Sequence, residues 1–224
     1  MLFIHDTVVV IGAHQFDFED AVREGYATAV ADDDTRFLSY RHAVHGSSEG
    51  YLVTMLTAVR DGVALDRLAH RMRYGDLAAY ATKVAALRYR CHSTLLVRAE
   101  WMDAPELELA EIPVADIDHD TAFFREDILE GPGIDEVLAQ TMAAGQFRGG
   151  NNDVLTFDTA FRPALETDTA ARVVYRINDA DDFVNAWRTD IGWDDWPGSL
   201  TPQLPDGVHS CGRYLRSVRW SPLP

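Results

Sequence analysis

Lysine is almost missing from this chain: its 20 basic side chains are 19 arginines and Lys83, set against 36 acidic residues, for a formal charge of −16. Holding a phosphate backbone takes a concentrated basic surface, so this balance excludes nucleic acid as a partner and reads as a device for solubility. Cysteine is nearly as scarce. Cys91 and Cys211 are too few and too far apart for a disulfide framework or a four-thiolate metal site, and both are expected to be reduced. No run approaches the roughly 18 apolar residues that cross a membrane. The opening Met1-Leu2-Phe3-Ile4-His5-Asp6 has no basic stretch leading into an apolar segment and a small-residue cleavage site. A soluble, cytoplasmic protein with no membrane partner is expected.

Familiar catalytic motifs are absent as well. There is no Gly-rich phosphate loop, nucleophile elbow, His-Glu-x-x-His or Cys-x-x-Cys, which removes support for hydrolase, kinase and zincin chemistry. His42 and His45 are three apart, a spacing that points them to opposite faces of a strand, so they make a poor ligand pair and no metal is expected.

What the sequence does hold is 47% apolar residues, 10% aromatics and an internal repeat. Residues 7–14 form an apolar strand-like run ending in a polar residue. A helix follows, with Asp17 placed to cap it and Phe18, Ala21, Val22, Gly25, Tyr26 and Ala29 along one face. Residues 36–45 and 51–60 read as a hairpin, a helical region runs from Val63 to about 90 with a break near Gly75-Asp76, and a strand at 93–100 closes the unit. From Thr121 the order returns, offset by about 120 residues: strand 121–128, a helix with Ile134, Val137, Leu138, Thr141, Met142 and Gly145 on one stripe, a hairpin at 153–162 and 170–177, a helix from Asp181, and a strand at 214–219. The expected class is therefore α+β, two tandem βαββαβ units at 1–104 and 121–224 joined by an extended connector at 105–120. Two such sheets can pack face to face within one chain, so folding does not require a homodimer, and a monomer or a homodimer is expected.

Polar aromatics and histidines at strand ends are the candidate chemistry. His14 ends the first strand, and Tyr40 and His42 lie two apart on one strand face. A histidine at a pocket mouth can exchange protons, while its structural role would be to satisfy a strand-end carbonyl. Trp187, Trp193 and Trp196 sit in or beside a long Pro-containing loop and read either as an aromatic wall for a flat ligand or as core cover. Arg71, Arg73 and Tyr74 end a helix, where arginine compensates the helix dipole or holds a phenolate or carboxylate.

The architecture resembles the dimeric α/β-barrel (ferredoxin-like) superfamily. More narrowly, Gly50-Tyr51-Leu52-Val53-Thr54-Met55-Leu56-Thr57-Ala58-Val59-Arg60-Asp61-Gly62, continued by Arg67-Leu68-Ala69, Gly75-Asp76-Leu77 and Leu87-Arg88, resembles the two-domain antibiotic-biosynthesis oxygenases that open a ring of angucycline-type aromatic polyketides. Trp220-Ser221-Pro222 also fits the pattern on which such a unit ends. The resemblance implies an intrachain α/β barrel and a monooxygenase that inserts oxygen into a polyphenol or quinone with C–C cleavage. It implies reduced flavin, FAD or FMN, supplied by a partner reductase, or no cofactor at all. On that basis His14, Tyr40 and His42 are the catalytic candidates, and Arg71, Tyr74, Trp187, Trp193 and Trp196 the substrate-binding ones. A non-redox polyketide cyclase of the same fold and a non-catalytic ligand-binding protein are the alternatives.

Elemental analysis of the purified protein is expected to find no stoichiometric iron, copper or zinc; one metal per chain that turnover requires would oppose this reading.

Overall fold

The first strand, β1 (Leu2–Val10), has ladder partners on both sides in the computed structural model, which describes residues 1–102, 105–114, 117–143, 155–165, 169–181, 204 and 206–224. It pairs antiparallel with β3 (Leu52–Val59) from Leu2 to Val9 and with β4 (Arg88–Arg98) from Phe3 to Val10. The strand therefore starts five residues earlier than the apolar run at 7–14 indicates, because His5 and Asp6 are ladder members rather than an end. It also stops sooner. Gly12–His14 form a 3-10 turn, and a Cβ on Gly12 would stand 2.5 Å from the Tyr51 ring, so glycine lets that ring lie against the backbone there.

The helix α1 (Gln15–Val22) follows, continued as a π-helical turn at Arg23–Ala27. Asp17 does not cap it. It lies in the first turn, and its carboxylate instead accepts from the His14 imidazole at 2.9 Å. Strand β2 (Thr35–Ala43) pairs with β3. The helical region beyond Val63 is two helices, α2 (Gly62–Tyr74) and α3 (Ala78–Ala86). Asp61 caps α2 by accepting from Val63 N and Ala64 N, both at 2.9 Å. The expected continuation of helix to residue 90 fails because Arg88 and Arg90 already pair with Val10 and Val9, so β4 begins there.

Contacts group the chain into two units: Met1–Leu96 with Pro105–Thr121 and Arg216–Pro224, and Val97–Ala104 with Ala122–Leu215. Strand order in unit 1 is β4-β1-β3-β2, the order of a ferredoxin-like fold. The second contains β5 (Phe123–Glu130), α4 (Ile134–Ala143), β6 (Leu155–Pro163), β7 (Ala170–Ile177) and β8 (His209–Ser217), in the matching order β8-β5-β7-β6. The helix expected from Asp181 lies largely at 182–203, outside the described residues. Register repeats too. Leu2 pairs with Val59 as Phe123 pairs with Ile177, and both hairpins slip by one residue at the same place, between Phe37 and Ser39 and between Phe157 and Thr159. The chain is α+β, built from two ferredoxin-like units.

Each unit has its own core between sheet and helices. In unit 1, Phe18, Val22, Leu68, Leu77 and Val84 from the helices meet Val8, Phe37, Val53 and Val59 from the strands. In unit 2, Ile134 and Leu138 meet Leu129, Val173 and Tyr175. Among the described residues no helix is long and apolar enough to cross a membrane. Phe18 is fully buried, and Phe18→Ala is expected to cost about 3–5 kcal/mol, against about 1 kcal/mol for Asp61→Ala; urea denaturation monitored by circular dichroism measures both.

Candidate functional site

Side chains alternate along a strand, so a sheet face can be read from the ladder. Asp6 and Val8 of β1 and Val53, Met55 and Thr57 of β3 share the face that packs on the helices of unit 1. Strict alternation along β2 would send Phe37 to this face and Tyr40 to the other. The bulge at Leu38 inserts one residue, so Tyr40 pairs with Met55 and His42 with Val53, and both turn toward the helices.

There Glu19 of α1 holds the cluster. His42 Nε2–H donates to Glu19 Oε2 at 2.9 Å, and Trp220 Nε1–H donates to Oε1 at 2.8 Å. The Gln15 amide nitrogen lies 3.3 Å from His42 Nδ1. A carboxylate only accepts and an amide NH2 only donates, so the two contacts together select the tautomer with its proton on Nε2 and its lone pair on Nδ1. Burial pushes the Glu19 carboxyl up, but the hydrogen bonds from His42 and Trp220 and the charges of His42 and Arg23 outweigh it, holding the group below its ordinary value.

Tyr40 is fully buried, with its ring 5.1 Å from the His42 ring and 5.3 Å from that of Trp220. Its hydroxyl has no hydrogen-bond partner among the described residues. Burial, reinforced by Glu19 and Tyr80, pushes the phenol well above its ordinary range, so it remains an O–H donor. One buried donor and one imidazole lone pair are thus brought to one face. Trp220 stacks on Phe37 at 6.0 Å and also floors a groove of about 220 Å³ lined by Arg23, Ala27, Thr28, Val114, Ile117 and Pro222.

The same sheet face continues to a second polar end. Ser93 Oγ donates to Asp6 Oδ1, and Cys91 Sγ lies 4.0 Å from that oxygen. Burial raises the Asp6 carboxyl against the opposing pull of Ser93, His5 and Arg88. Between the two ends, Tyr26 and Tyr80 stack at 5.1 Å, and the Tyr26 hydroxyl bonds Thr57 Oγ1 at 3.1 Å. Burial raises both phenols.

Of the residues singled out from sequence, the structure brings Tyr40 and His42 together. His14, the residue before Gln15, is about half exposed and pairs with Asp17. Arg71 is occupied by Asp76 at 2.7 Å, the Ala29 carbonyl at 2.6 Å and Asp32 at 3.7 Å, so it ties helix ends together. Tyr74 is exposed, beneath the Arg73 guanidinium. Trp187, Trp193 and Trp196 lie outside the described residues. Sequence reasoning missed Glu19, Gln15, Asp6 and the role of Trp220. Asp6 did leave a signal, as a carboxylate in the middle of an apolar strand run.

No family model matches the sequence, and no curated protein sequence is similar to it. Solved structures do share its fold. Two carry the name "putative monooxygenase": one from Lactobacillus acidophilus NCFM (TM-score 0.57, 8% identity, covering 96% of this chain and 93% of that one) and one from Fusobacterium nucleatum (0.56, 9%, 98% and 93%). A third is an anthrone oxidase-like protein (0.58, 9%, 98% and 93%). At these identities the likeness is one of fold, and this chain has the fold on which those monooxygenase-named proteins are built.

Because the Glu19 carboxyl is held low in the folded state, its contribution is present above the unfolded value near pH 4.3 and is lost as pH falls through the folded value. Glu19→Gln is expected to cost about 1–3 kcal/mol at pH 7 and to flatten that acid loss, as read by urea denaturation across a pH series.

Proposed function

We propose that the chain is an oxygenase of aromatic polyketides, acting on a phenol or quinone between the sheet and helices of unit 1. The observation that carries this reading is the unpartnered Tyr40 hydroxyl, fully buried beside His42. A buried donor left without an acceptor is costly unless a ligand oxygen meets it, and the adjacent imidazole lone pair can take a phenolic proton. The substrate hydroxyl displaces the Gln15 amide from His42 Nδ1, and the proton moves to that nitrogen. Glu19 stabilises the imidazolium formed, and Tyr40 donates to the oxygen that becomes charged. Activated in this way, an electron-rich ring is open to attack by O2.

Insertion of one oxygen atom with loss of the other as water needs two electrons. A substrate with its own removable C–H hydrogens, such as an anthrone, supplies them itself; cleaving a ring C–C bond in an angucycline-type quinone calls for an external donor, which we assign to reduced flavin delivered by a reductase. The Glu19 and Asp6 carboxylates of this face oppose a tightly held flavin phosphate, which calls for a concentration of cations. Flavin is accordingly read as a diffusing reductant, and no step above passes through it.

Oxygen uptake with an anthrone and with a hydroxylated tetracyclic quinone, each with and without a flavin reductase, tests the reading. Substrate-dependent uptake is expected, reduced roughly 10²-fold or more in His42→Ala. Tyr40→Phe should lower kcat and raise KM, since its hydroxyl meets the bound oxygen and then the charge that develops on it. Conversion of substrate without oxygen consumption would instead favour the cyclase alternative.

A further inference from the structure

The two units share a register but not a chemistry. Since Phe123 in β5 occupies the place of Leu2 in β1, Asp127 stands where Asp6 stands, and Arg125 stands where unit 1 has Ile4. An arginine at a core position that its own repeat fills with isoleucine breaks the local rule, and such breaks mark functional places.

Only part of that guanidinium is satisfied. Nε donates to Asp127 Oδ1 at 2.8 Å, with the two side chains 6% and 2% exposed. Arg125 Nη1 is buried and has no hydrogen-bond partner among the described residues. The glycine at 212 makes room for Asp127: a Cβ there would stand 2.8 Å from its Oδ1. Burial pushes this carboxyl up against the pull of Arg125. The neighbours are aromatic. Tyr175 is the ladder partner of Arg125, Phe157 meets Tyr175 edge-on at 6.2 Å, and Trp101 lies 6.4 Å from Phe157. A dry guanidinium N–H among aromatic rings suits a delocalised oxyanion carried on a flat ring, which can accept from the fork and pack on the walls.

We propose that Arg125 anchors a second small-molecule site, inside unit 2, that takes the carboxylate or phenolate oxygen of an aromatic ligand. The site stands on the geometry of unit 2 alone and does not depend on the oxygenase reading of unit 1. The two faces differ in the donor they offer: unit 1 presents the Tyr40 hydroxyl, whereas unit 2 presents a guanidinium N–H.

Calorimetric titration of the full chain with benzoate, and separately with 4-nitrophenolate, tests this and separates carboxylate from phenolate recognition. One equivalent of at least one anion is expected to bind per chain. The double variant Arg125→Ile/Asp127→Asn installs at 125 the residue type that the sister unit carries and removes the carboxylate charge that would otherwise be left buried without its partner, and removal of both members of a buried ion pair is tolerated better than removal of one. It is expected to keep its melting temperature within a few degrees and to weaken binding at least 10-fold, while His42→Ala leaves binding unchanged. Should the double variant fail to fold, Arg125→Lys replaces it, keeping the charge but losing the fork, with the same weakening expected. The proposal is overturned if neither anion binds the wild type, if a folded Arg125 variant binds as well as the wild type, or if His42→Ala abolishes binding, which would place the anion in unit 1.

Discussion

A strand has a period of two, and everything in the proposed site of unit 1 depends on breaking that period once. The extra residue at Leu38 changes the parity of β2, so that Phe37, Tyr40 and His42 all face the helices. Without the slip, Tyr40 and His42 would lie on the opposite face from Glu19, and the Glu19 carboxylate would be left partly buried with only the Trp220 indole to answer it. The bulge costs a ladder position and gains a cluster: imidazole, phenol, indole and carboxylate from β2, α1 and the segment after β8.

The duplication explains why the bulge is there twice and useful in different ways. In β6 the slip between Phe157 and Thr159 turns Ala160 to the position that Tyr40 holds in β2, and Arg162 follows at the place of His42. Unit 2 shares the backbone device but presents neither the donor nor the base of unit 1. Its polar investment moved to β5, where Arg125 and Asp127 occupy positions filled by Ile4 and Asp6. Backbone register is held by every ladder hydrogen bond, whereas one inward side chain can differ at the cost of local repacking.

Much of the architecture was legible because period and order are properties of the sequence. The offset near 120 residues, both hairpins and the stripe of α4 could be read from apolar spacing alone, and Tyr40 and His42 follow from a spacing of two on a strand. Their partners were not legible. Glu19 reaches His42 across 23 residues and Trp220 across 201, and no local pattern encodes an approach of that kind. His14 ends a 3-10 turn rather than the first strand: the apolar run 7–14 hides the end of β1 at Val10 and the bend that follows it. Arg71 looked available because its carboxylate partners, Asp32 and Asp76, belong to the loop after the π-turn and to the loop after its own helix.

The residues that finish β2 come late in the chain. Tyr40 donates its backbone N–H to Ser221 Oγ, its carbonyl accepts from Val218 N, and the Leu38 carbonyl accepts from Leu223 N at 2.8 Å. Some 181 residues separate Tyr40 from Ser221. At about 5–20 residues per second, translation leaves these β2 groups unanswered for roughly 10–40 s. During that interval the nascent first unit carries an incomplete strand and lacks the indole that covers Phe37, surface that a ribosome-associated chaperone would have reason to hold.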